Sequence, residues 1–550
     1  MTCPHRKASG TQSEIINISL FKYNKSECPI EDDNCRLCRE IQAIEKDVED
    51  IAIRLKNLLS RHQQLRTETN HTHSPIIRDL PVEILSKIFY SCFSDGMMDA
   101  DGEGPSWSDT DVPLRVGAVC RTWRQVAWSS PELWTAILVK RTFTTASHVC
   151  NQYPIMTGWI HRSRVLPVYI TLYENTEDGT KPGSVAEGCD CWERTLQLVA
   201  ECSDRWKDAD LNLSRASFEY IASNLKLKPP TRKLALESDE PLDKSTVDTE
   251  VLKLWQEPEF GPQSMTIDLF FRLEHLNLNW QYLTDVNACS WHPDDCVDLL
   301  RNAPQLVSCS FTDIADYWEE AESNVSYSPL VIHHTSLRYL SLHCEVFGAA
   351  LFDQLTAPSL EELWYTTDSD RLHPIESRPF LMSFFRRSSF PLTQLKLNAH
   401  TFPPEYLMAI LSSVPSLVHL YLSFSSGTVK RPLMVSLFNH LATTAISSSD
   451  PGSNAVRFLP QLEDLKVTGD FREADFPWTC VPDAFGYPPQ LGREGQRPFK
   501  SLALVVRHPY LVKGVPGDMV ARLVNLQNAG FNINFMDGSA LDKLVPVTWE

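Results

Sequence analysis

A six-residue pattern of the form L-x-x-L-x-L recurs through the C-terminal part of this 550-residue chain. Eight copies start 23 to 45 residues apart, and several follow a proline and a small or polar residue. The copies are Leu273–Leu278, Leu306–Phe311, Leu337–Leu342, Leu360–Tyr365, Leu392–Leu397, Leu417–Leu422, Leu462–Val467 and Phe499–Leu504, with a weaker early member at Trp206–Leu211. One copy carries no information, but eight in order with a shared upstream proline argue against chance.

This pattern predicts a repeat architecture in which each copy is one strand and each intervening segment packs a helix against the sheet. Several copies do follow a helical segment, for example residues 294–302 and 405–413. We therefore expect residues 138–550 to form a curved leucine-rich-repeat solenoid with a parallel sheet. The alternative is a leucine-rich α/β domain in which the pattern arises by chance.

The side chains between the apolar positions of each copy face the other side of the strand. In a solenoid they line the concave surface, and here they include aromatic, histidine and oppositely charged residues, a mixture that suits protein recognition. The candidates for target contact are His275, Asn277, Tyr339, Ser341, His343, Glu362, Trp364, Lys396, Asn398, His419, Tyr421, Asp464 and Lys466. For each of them the alternative is an ordinary solvated position.

A second regular pattern lies near the N-terminus, where apolar residues recur at alternating spacings of four and three. The seam consists of Leu37, Ile41, Ile44, Val48, Ile51, Leu55 and Leu58, continued by His62 and Leu65. Such heptads predict a helix over residues 34–68 that forms a short coiled coil, and hence a homodimer through residues 37–65. The alternative is a helix that folds back on its own chain. Residues 1–33 are polar and weakly patterned, and we expect a flexible tail there.

The most apolar helix candidate is Arg78–Phe93, where Pro81 suits the first turn. Its apolar residues spread over roughly 220° of the helix circumference, about twice the arc that one core contact needs. Residues 94–112 carry six acidic residues and three glycines, which predicts a mobile, solvated loop. Helical spacing resumes over Pro113–Ala127, in one or two pieces.

The composition argues against several classes of function. A net charge of −19, from 51 basic and 70 acidic residues, disfavours nucleic acid or an anionic membrane as the main partner. The sequence contains no run of 18 apolar residues and no secretory signal. We therefore expect an intracellular protein, of the cytoplasm, the nucleus or both, whose 15 cysteines are mainly buried thiols.

The sequence also lacks motifs that carry catalytic chemistry. It contains no GxGxxG, Walker, GxSxG or HExxH motif, and no pair of acids stands out for acid/base work. Cys35 and Cys38 have the CxxC spacing of a zinc site, but no second pair follows nearby. We therefore expect no catalytic residue, no metal and no cofactor, and a protein that is not an enzyme.

Residues 76–137 resemble the F-box, a small helical module that docks onto the Skp-type adaptor of SCF ubiquitin ligases. The resemblance lies in LPVEILSKIF at Leu80–Phe89, LRVGAVCRTWRQVA at Leu114–Ala127 and SSPELW at Ser129–Trp134. The acidic loop is longer than the usual connection in this family. The layout of heptad helix, F-box and irregular leucine-rich repeats is similar to F-box proteins abundant in mushroom-forming (basidiomycete) fungi.

This resemblance implies a set of adaptor contacts. The residues at the matching positions are Leu80, Pro81, Ile84, Leu85, Ile88, Leu114, Val119 and Trp123. Within the bundle we expect Leu85, Phe89 and Cys92 to face inward. They would close on Val119 and Trp123, which leaves the remaining apolar side of the helix for the partner.

The resemblance also implies a role. The protein would be the substrate-recognition subunit of a cullin-RING ubiquitin ligase, in which the F-box docks the Skp-type adaptor and its cullin and the repeats bind an unknown target protein. The alternative is a structural scaffold that dimerises through the heptad helix and binds proteins through its repeats.

Overall fold

In the computed structural model the chain divides into two compact units, Met1–Pro230 and Thr231–Glu550. The fold is mixed, with a long N-terminal helix, a small helical bundle and a parallel sheet. The structure describes residues 35–73, 80–97, 111–142, 146–175, 190–238, 254–255, 260–268, 273, 276–291, 293–314, 331–343, 347–366, 378–398, 402–424, 431–445, 457–469, 476–486, 495–506, 515, 517–537 and 545–546. The predicted tail at 1–33 and most of the predicted acidic loop lie outside these ranges.

The first unit contains the long helix, the bundle and three strands. Its helices are α1 (Arg36–His73), α2 (Val82–Met97), α3 (Val112–Val119), α4 (Arg121–Ser129), α5 (Ala146–Ser163), α6 (Cys191–Ala200) and α7 (Arg215–Asn224). Its strands are β1 (Ala136–Thr142), β2 (Val168–Asn175) and β3 (Trp206–Asn212). A helix lies between consecutive strands, and β1, β2 and β3 pair in parallel in that order.

The second unit continues the alternation of strand and helix. Its strands are β4 (Lys233–Glu237), β5 (Ser264–Asp268), β6 (Asp285–Cys289), β7 (Ser308–Thr312), β8 (Ile332–His333), β9 (Tyr339–His343), β10 (Leu355–Thr356), β11 (Glu362–Thr366), β12 (Gln394–Asn398), β13 (His419–Phe424), β14 (Asp464–Gly469), β15 (Ser501–Val506), β16 (Asn532–Asp537) and β17 (Val545–Pro546). Its helices are α8 (Pro293–Asn302), α9 (Phe347–Gln354), α10 (Arg378–Ser388), α11 (Pro404–Ser412), α12 (Arg431–Thr443), α13 (Val481–Ala484) and α14 (Gly517–Asn528).

The strands of the second unit pair mostly in chain order. From β4 to β16 they form one parallel ladder that leaves out β8 and β10, which pair with each other. The last strand, β17, is antiparallel to β16. The predicted parallel sheet is therefore present, and the curved leucine-rich-repeat solenoid stays a prediction.

Seven of the predicted repeat copies coincide with strands β7, β9 and β11–β15, and the weaker early member coincides with β3. In β9, for example, Leu340 and Leu342 are buried while Tyr339, Ser341 and His343 are half-exposed. The same alternation recurs in β7, β11, β12, β13 and β14. The predicted division of each copy into a buried and an open side is therefore correct for these strands.

The copy at Leu273–Leu278 is an exception, because residues 276–278 are not a strand. The backbone N–H of Leu273 donates instead to the carboxylate of Asp295, at 3.2 Å. Leu276 and Leu278 donate their N–H groups to carbonyls two or three residues back, which folds the segment on itself. The local hydrogen bonds replace the ladder that the pattern predicts.

Candidate functional site

The helical bundle fixes the orientation of α2 through one side of that helix. Leu85 and Phe89, one turn apart, are only 1% and 0% exposed. The ring of Phe89 packs against the ring of Trp123 on α4, with 5.0 Å between the centroids. A 2.7 Å hydrogen bond joins the Oγ atoms of Ser86 and Ser130 beside this contact. These contacts determine which side of α2 faces the bundle.

The second half of the bundle is two helices because the chain turns at Cys120. This residue is extended, and its Sγ accepts a 3.4 Å hydrogen bond from the backbone N–H of Trp123, as an N-cap does. Gly117 in α3 lies so close to Trp128 that a Cβ atom would collide with the indole ring. The Gly117 carbonyl accepts a 2.9 Å hydrogen bond from Nε of Arg124. The predicted helical spacing in this segment thus corresponds to two helices, α3 and α4.

A cluster of tryptophans joins the bundle to α5 of the same unit. Trp134 is buried and donates from Nε1 to the carbonyl of Ala127, at 2.7 Å. Its ring packs edge-on against Trp128 at 5.4 Å and against Trp159 of α5 at 4.6 Å between centroids. The guanidinium of Arg162 lies 4.6 Å from the centroid of Trp134, and burial lowers the pKa of Arg162. The end of the bundle is therefore anchored to the segment that follows it.

The outer side of α2 presents an apolar stripe to solvent. Its members are Pro81, Ile84 and Ile88, whose spacing of three and four residues places them on one side of the helix. Ile84 is 42% exposed and Ile88 is 43% exposed. Pro81 is exposed at the start of the helix, and its carbonyl accepts the first backbone hydrogen bonds of α2. We refer to these three residues as the α2 stripe.

Other predicted adaptor contacts precede α2 or lie on α3 and α4. Leu114 and Val119 of α3 are exposed, whereas Leu80 and Trp123 are half-buried. Val82 and Tyr90 of α2 are also exposed and apolar, but their angles on the helix set them away from the α2 stripe. Neither was predicted as an adaptor contact.

Leu85 was predicted both to face inward and to contact the adaptor. Its burial agrees with the first prediction and leaves the side chain no free surface for the second. The prediction that Cys92 and Val119 face inward is wrong, because both are exposed. Cys92 lies at nearly the same angle on the helix as the buried Leu85, but it follows Phe89, which is the last buried position among residues 81–92. Val119 ends α3 beside the turn at Cys120, away from the buried positions of that helix.

Short helices around a tryptophan core, with one apolar helix side uncovered, define a small helical domain of the kind that completes its apolar surface with a partner. Residues 77–140 match the family model of F-box-like domains. No curated protein shows a significant match to the chain. F-box domains generally bind Skp-type adaptors, so the domain supports a Skp-type partner and fits the general role of an SCF substrate adaptor. The resemblance is thus confirmed for this domain, while the leucine-rich repeats and the basidiomycete likeness stay predictions.

The second candidate site is the half-exposed side of strands β9, β11, β12, β13 and β14, which we call the open face. The pairing register aligns the predicted target-contact residues in rows across these strands. The first row contains Tyr339, Glu362, His419 and Asp464, and the second row contains Ser341, Trp364, Lys396, Tyr421 and Lys466. His343 and Asn398 lie one step further along their strands. The structure therefore brings these predicted residues onto one side of one sheet.

Aromatic and cationic side chains contact one another at the centre of the open face. The rings of Tyr339 and Trp364 pack edge-on, with 5.4 Å between the centroids. The Nζ of Lys396 lies 4.6 Å from the centroid of Trp364, which is a cation–π contact. Partial burial raises the pKa of Tyr339, so its hydroxyl stays protonated at neutral pH. This cluster can offer ring faces, a phenolic hydroxyl and a positive charge to a bound protein.

Two histidines of the open face pair with aspartates on neighbouring strands or loops. The Nδ1 of His419 lies 2.8 Å from the carboxylate of Asp464 on β14. The Nδ1 of His343 lies 2.9 Å from the carboxylate of Asp313. Because these pairs are partly solvated, they contribute little to stability and leave polar groups at the surface.

Two predicted target contacts do not join the open face. Asn277 lies in the segment that is not a strand, and its Nδ2 donates to the carbonyl of Trp255 at 3.2 Å. The prediction of a repeat strand at Asn277 is therefore wrong, although Asn277 is half-exposed between the buried Leu276 and Leu278. His275 lies outside the described residues.

The described part of the chain gives no sign of a metal centre, since it contains no group of three or more His, Cys, Asp or Glu residues arranged to hold an ion. Cys35 and Cys38 lie at the beginning of α1. Among the helices of the described ranges, none has the length and apolar content needed to cross a membrane.

Proposed function

We propose that this chain is a non-catalytic substrate-recognition subunit of an SCF-type cullin-RING ubiquitin ligase. The observation that carries the proposal is the F-box-like domain at residues 77–140, whose α2 leaves an apolar stripe uncovered. In this proposal the protein acts in the cytoplasm, the nucleus or both, and needs no cofactor. Its partners are the Skp-type adaptor, the cullin bound to that adaptor, and a target protein.

The proposed adaptor surface consists of the α2 stripe together with the exposed Leu114 and Val119 of α3. Burying exposed apolar area contributes roughly 25 cal/mol per Å², so a few aliphatic side chains supply several kcal/mol. Leu85 has a supporting role in this proposal, because its contacts inside the bundle hold the helix while the stripe meets the adaptor. Trp123 acts in the same way through its contact with Phe89.

The proposed target surface is the open face, on a sheet that we interpret as a leucine-rich-repeat array. Aromatic residues and side chains of both charge signs are enriched where proteins recognise one another. The Tyr339, Trp364 and Lys396 cluster gives this surface an anchor with defined geometry. The histidine–aspartate pairs beside it supply polar groups at the rim.

The proposed mechanism is proximity. A chain that holds the ligase through one surface and the target through another raises the effective concentration of target lysines near the charged conjugating enzyme. The chemical step then belongs to other subunits, which agrees with a sequence that lacks catalytic motifs. No residue of this chain has to touch the reacting thioester.

Co-purification from cells tests the ligase role. The variant Leu80→Ala/Pro81→Ala/Ile84→Ala is expected to lose the Skp-type adaptor and the cullin, which the intact chain retains. A matched control, Lys87→Ala/Tyr90→Ala, changes exposed residues on another side of the same helix and is expected to retain both. If the intact chain never co-purifies with the adaptor, the ligase proposal fails and the scaffold alternative takes its place.

Proximity labelling tests the target surface. Proteins labelled by the intact chain and stabilised when the α2 stripe is mutated are the expected targets. Trp364→Ala/Lys396→Ala is expected to lose those proteins, whereas Glu405→Ala on the exposed side of α11 is expected to keep them. Equal labelling by both variants would show that the open face does not bind the target.

A further inference from the structure

In the described part of the chain, the apolar seam of α1 is exposed to solvent. Helix α1 is continuous over Arg36–His73, a length of 38 residues. Four apolar residues of its seam, spaced by sevens, are 62 to 68% exposed, namely Leu37, Ile44, Ile51 and Leu58. A helix that folded back on its own chain would bury them. The exposed seam therefore needs a partner from outside the chain.

We propose that α1 forms an antiparallel coiled coil with α1 of a second copy of this chain. The spacing assigns Leu37, Ile44, Ile51, Leu58 and Leu65 to heptad positions d, and Ile41, Val48, Leu55 and His62 to positions a. The flanking positions e and g then carry the charges that decide partner and direction. This inference goes beyond the ligase proposal and does not rest on it.

A parallel pair of α1 helices is disfavoured by its own charges. In a parallel dimer, each g residue meets the e residue five positions later in the other copy. Glu40 would then meet Glu45, and Arg61 would meet Arg66. Both contacts join like charges, and the other two g–e pairs contain an uncharged residue. A parallel arrangement therefore contains repulsive pairs and no attractive ones.

An antiparallel pair centred between Glu49 and Asp50 matches both the apolar and the charged positions. Each a residue then meets a d residue of the other copy, for example Val48 with Ile51. Moving the register by one heptad in one direction places Arg54 opposite Arg54 of the other copy, and moving it in the other direction places Asp47 opposite Asp47. Each shift therefore introduces a contact between like charges.

The flanking charges of this register are all complementary. Because g residues face each other in an antiparallel coiled coil, Glu40 meets Arg61 and Asp47 meets Arg54 of the other copy. By symmetry each contact occurs twice, which gives four attractive pairs and no repulsive one at these positions. Glu40 also lies 3.4 Å from Arg36 of its own helix, an exposed pair that leaves Glu40 free to join a second cation.

The direction of pairing has a consequence for assembly. With a rise of 1.5 Å per residue, the two copies of His73 in this register are about 70 Å apart. The two chains therefore continue from opposite ends of the coiled coil, each toward its own F-box-like domain. A parallel pair would instead release both chains at the same end.

Sedimentation equilibrium of the full chain and of charge variants tests this proposal. The wild type is expected to be a dimer at micromolar concentration. Glu40→Arg/Asp47→Arg turns four attractive pairs into four repulsive ones, so its dimer is expected to dissociate roughly tenfold or more readily. Arg54→Glu/Arg61→Glu is expected to weaken self-association in the same way, and an equimolar mixture of the two variants is expected to restore the dimer. These are solvent-exposed positions, so the variants are expected to keep the helix content of the wild type.

The control Glu49→Arg/Asp50→Arg makes the same change of net charge on the outer side of α1 and is expected to dimerise like the wild type. A monomeric wild type would overturn the proposal. Tighter dimerisation of Glu40→Arg/Asp47→Arg would also overturn it, because in a parallel pair this change replaces the Glu40–Glu45 repulsion with attraction. A failure of these tests would not change the expected result of the adaptor experiment. A failure to bind the adaptor would likewise not change the expected self-association of α1.

Discussion

The rings of Phe89 and Trp123 pack with their centroids 5.0 Å apart, and this contact anchors α2 on α4 beside the exposed α2 stripe. Phe89→Ala removes a fully buried ring, and we expect it to lower the free energy of unfolding of the first unit by about 3–5 kcal/mol. Ile88→Ala changes the neighbouring residue on the exposed stripe and should cost less than about 1 kcal/mol. Denaturant unfolding followed by tryptophan fluorescence measures both, and equal effects would contradict the assignment of the two sides of α2.

Glu174 at the end of β2 is buried and binds several partners at once. Its carboxylate lies 2.5 Å from Arg141 of β1 and accepts hydrogen bonds from Ser214 and Ser217 at the start of α7. Glu174→Ala removes the buried carboxylate that pairs with Arg141 and accepts from both serines, so we expect a loss of about 3–5 kcal/mol in unfolding free energy. Glu219→Ala breaks the exposed pair with Arg215 and should cost less than about 1 kcal/mol. A small effect at Glu174 would show that this network does not stabilise the first unit.

Arg497 is the corresponding buried charge of the second unit. Its guanidinium donates to the carbonyls of Leu441, Phe458 and Leu459, and desolvation lowers the pKa of Arg497 to about 10. The group is therefore still charged at neutral pH. Arg497→Met removes the donors and leaves buried carbonyls unpaired, so we expect a loss of about 2–4 kcal/mol in unfolding free energy.

A matched control for Arg497 is Lys500, which forms an exposed pair with Glu463 at 2.7 Å. Lys500→Met should change the free energy of unfolding by less than about 1 kcal/mol. Chemical unfolding of the wild type and both variants is the measurement. Equal stability of the two variants would contradict a structural role for the buried guanidinium.

His334 makes the stability of the second unit depend on pH. The side chain is buried, its Nε2 pairs with the carbonyl of Ala303 at 2.9 Å, and desolvation lowers its pKa below the usual value. The unfolded chain takes up a proton near pH 6.5, before the native state does, so protonation favours unfolding as the pH falls through that value. We expect the stability advantage of the wild type over His334→Gln to shrink between pH 8 and pH 5. A difference that does not vary with pH would exclude this role for His334.

The sequence was most informative where a short pattern decides both burial and pairing. Residues such as Leu340 and Leu342 alternate with polar neighbours, and that period of two predicts a strand with one buried side. The early strand β1 was missed because its apolar run Ala136–Val139 lacks that spacing, whereas β2 was missed although Val168, Ile170 and Leu172 have it. The copy at Leu273 was wrongly predicted as a strand because its backbone N–H donates to the side chain of Asp295, which is distant in sequence.

The candidate sites, like the fold, could be predicted only in part from the sequence. The wide apolar arc of α2 predicts that one core contact cannot cover it, and the exposed Ile84 and Ile88 agree with that expectation. The division of the arc could not be predicted, because it depends on where Trp123 approaches the helix. Cys92 was predicted to face inward because its angle on the helix is close to that of the buried Leu85. On the open face, in contrast, the strand period alone was sufficient to align residues such as Trp364 and Lys396.

The most direct test of the account is a binding titration of the purified full chain with a purified Skp-type adaptor, by calorimetry. We expect the wild type to bind with a Kd of about 1 μM or tighter, and Ile84→Asp/Ile88→Asp to bind at least roughly tenfold more weakly while unfolding like the wild type. Lys87→Asp/Tyr90→Asp, at exposed positions off the stripe, should bind like the wild type. A wild-type chain that does not bind the adaptor, or stripe variants that bind it equally well, would contradict the central claim that α2 docks this protein onto a ubiquitin ligase.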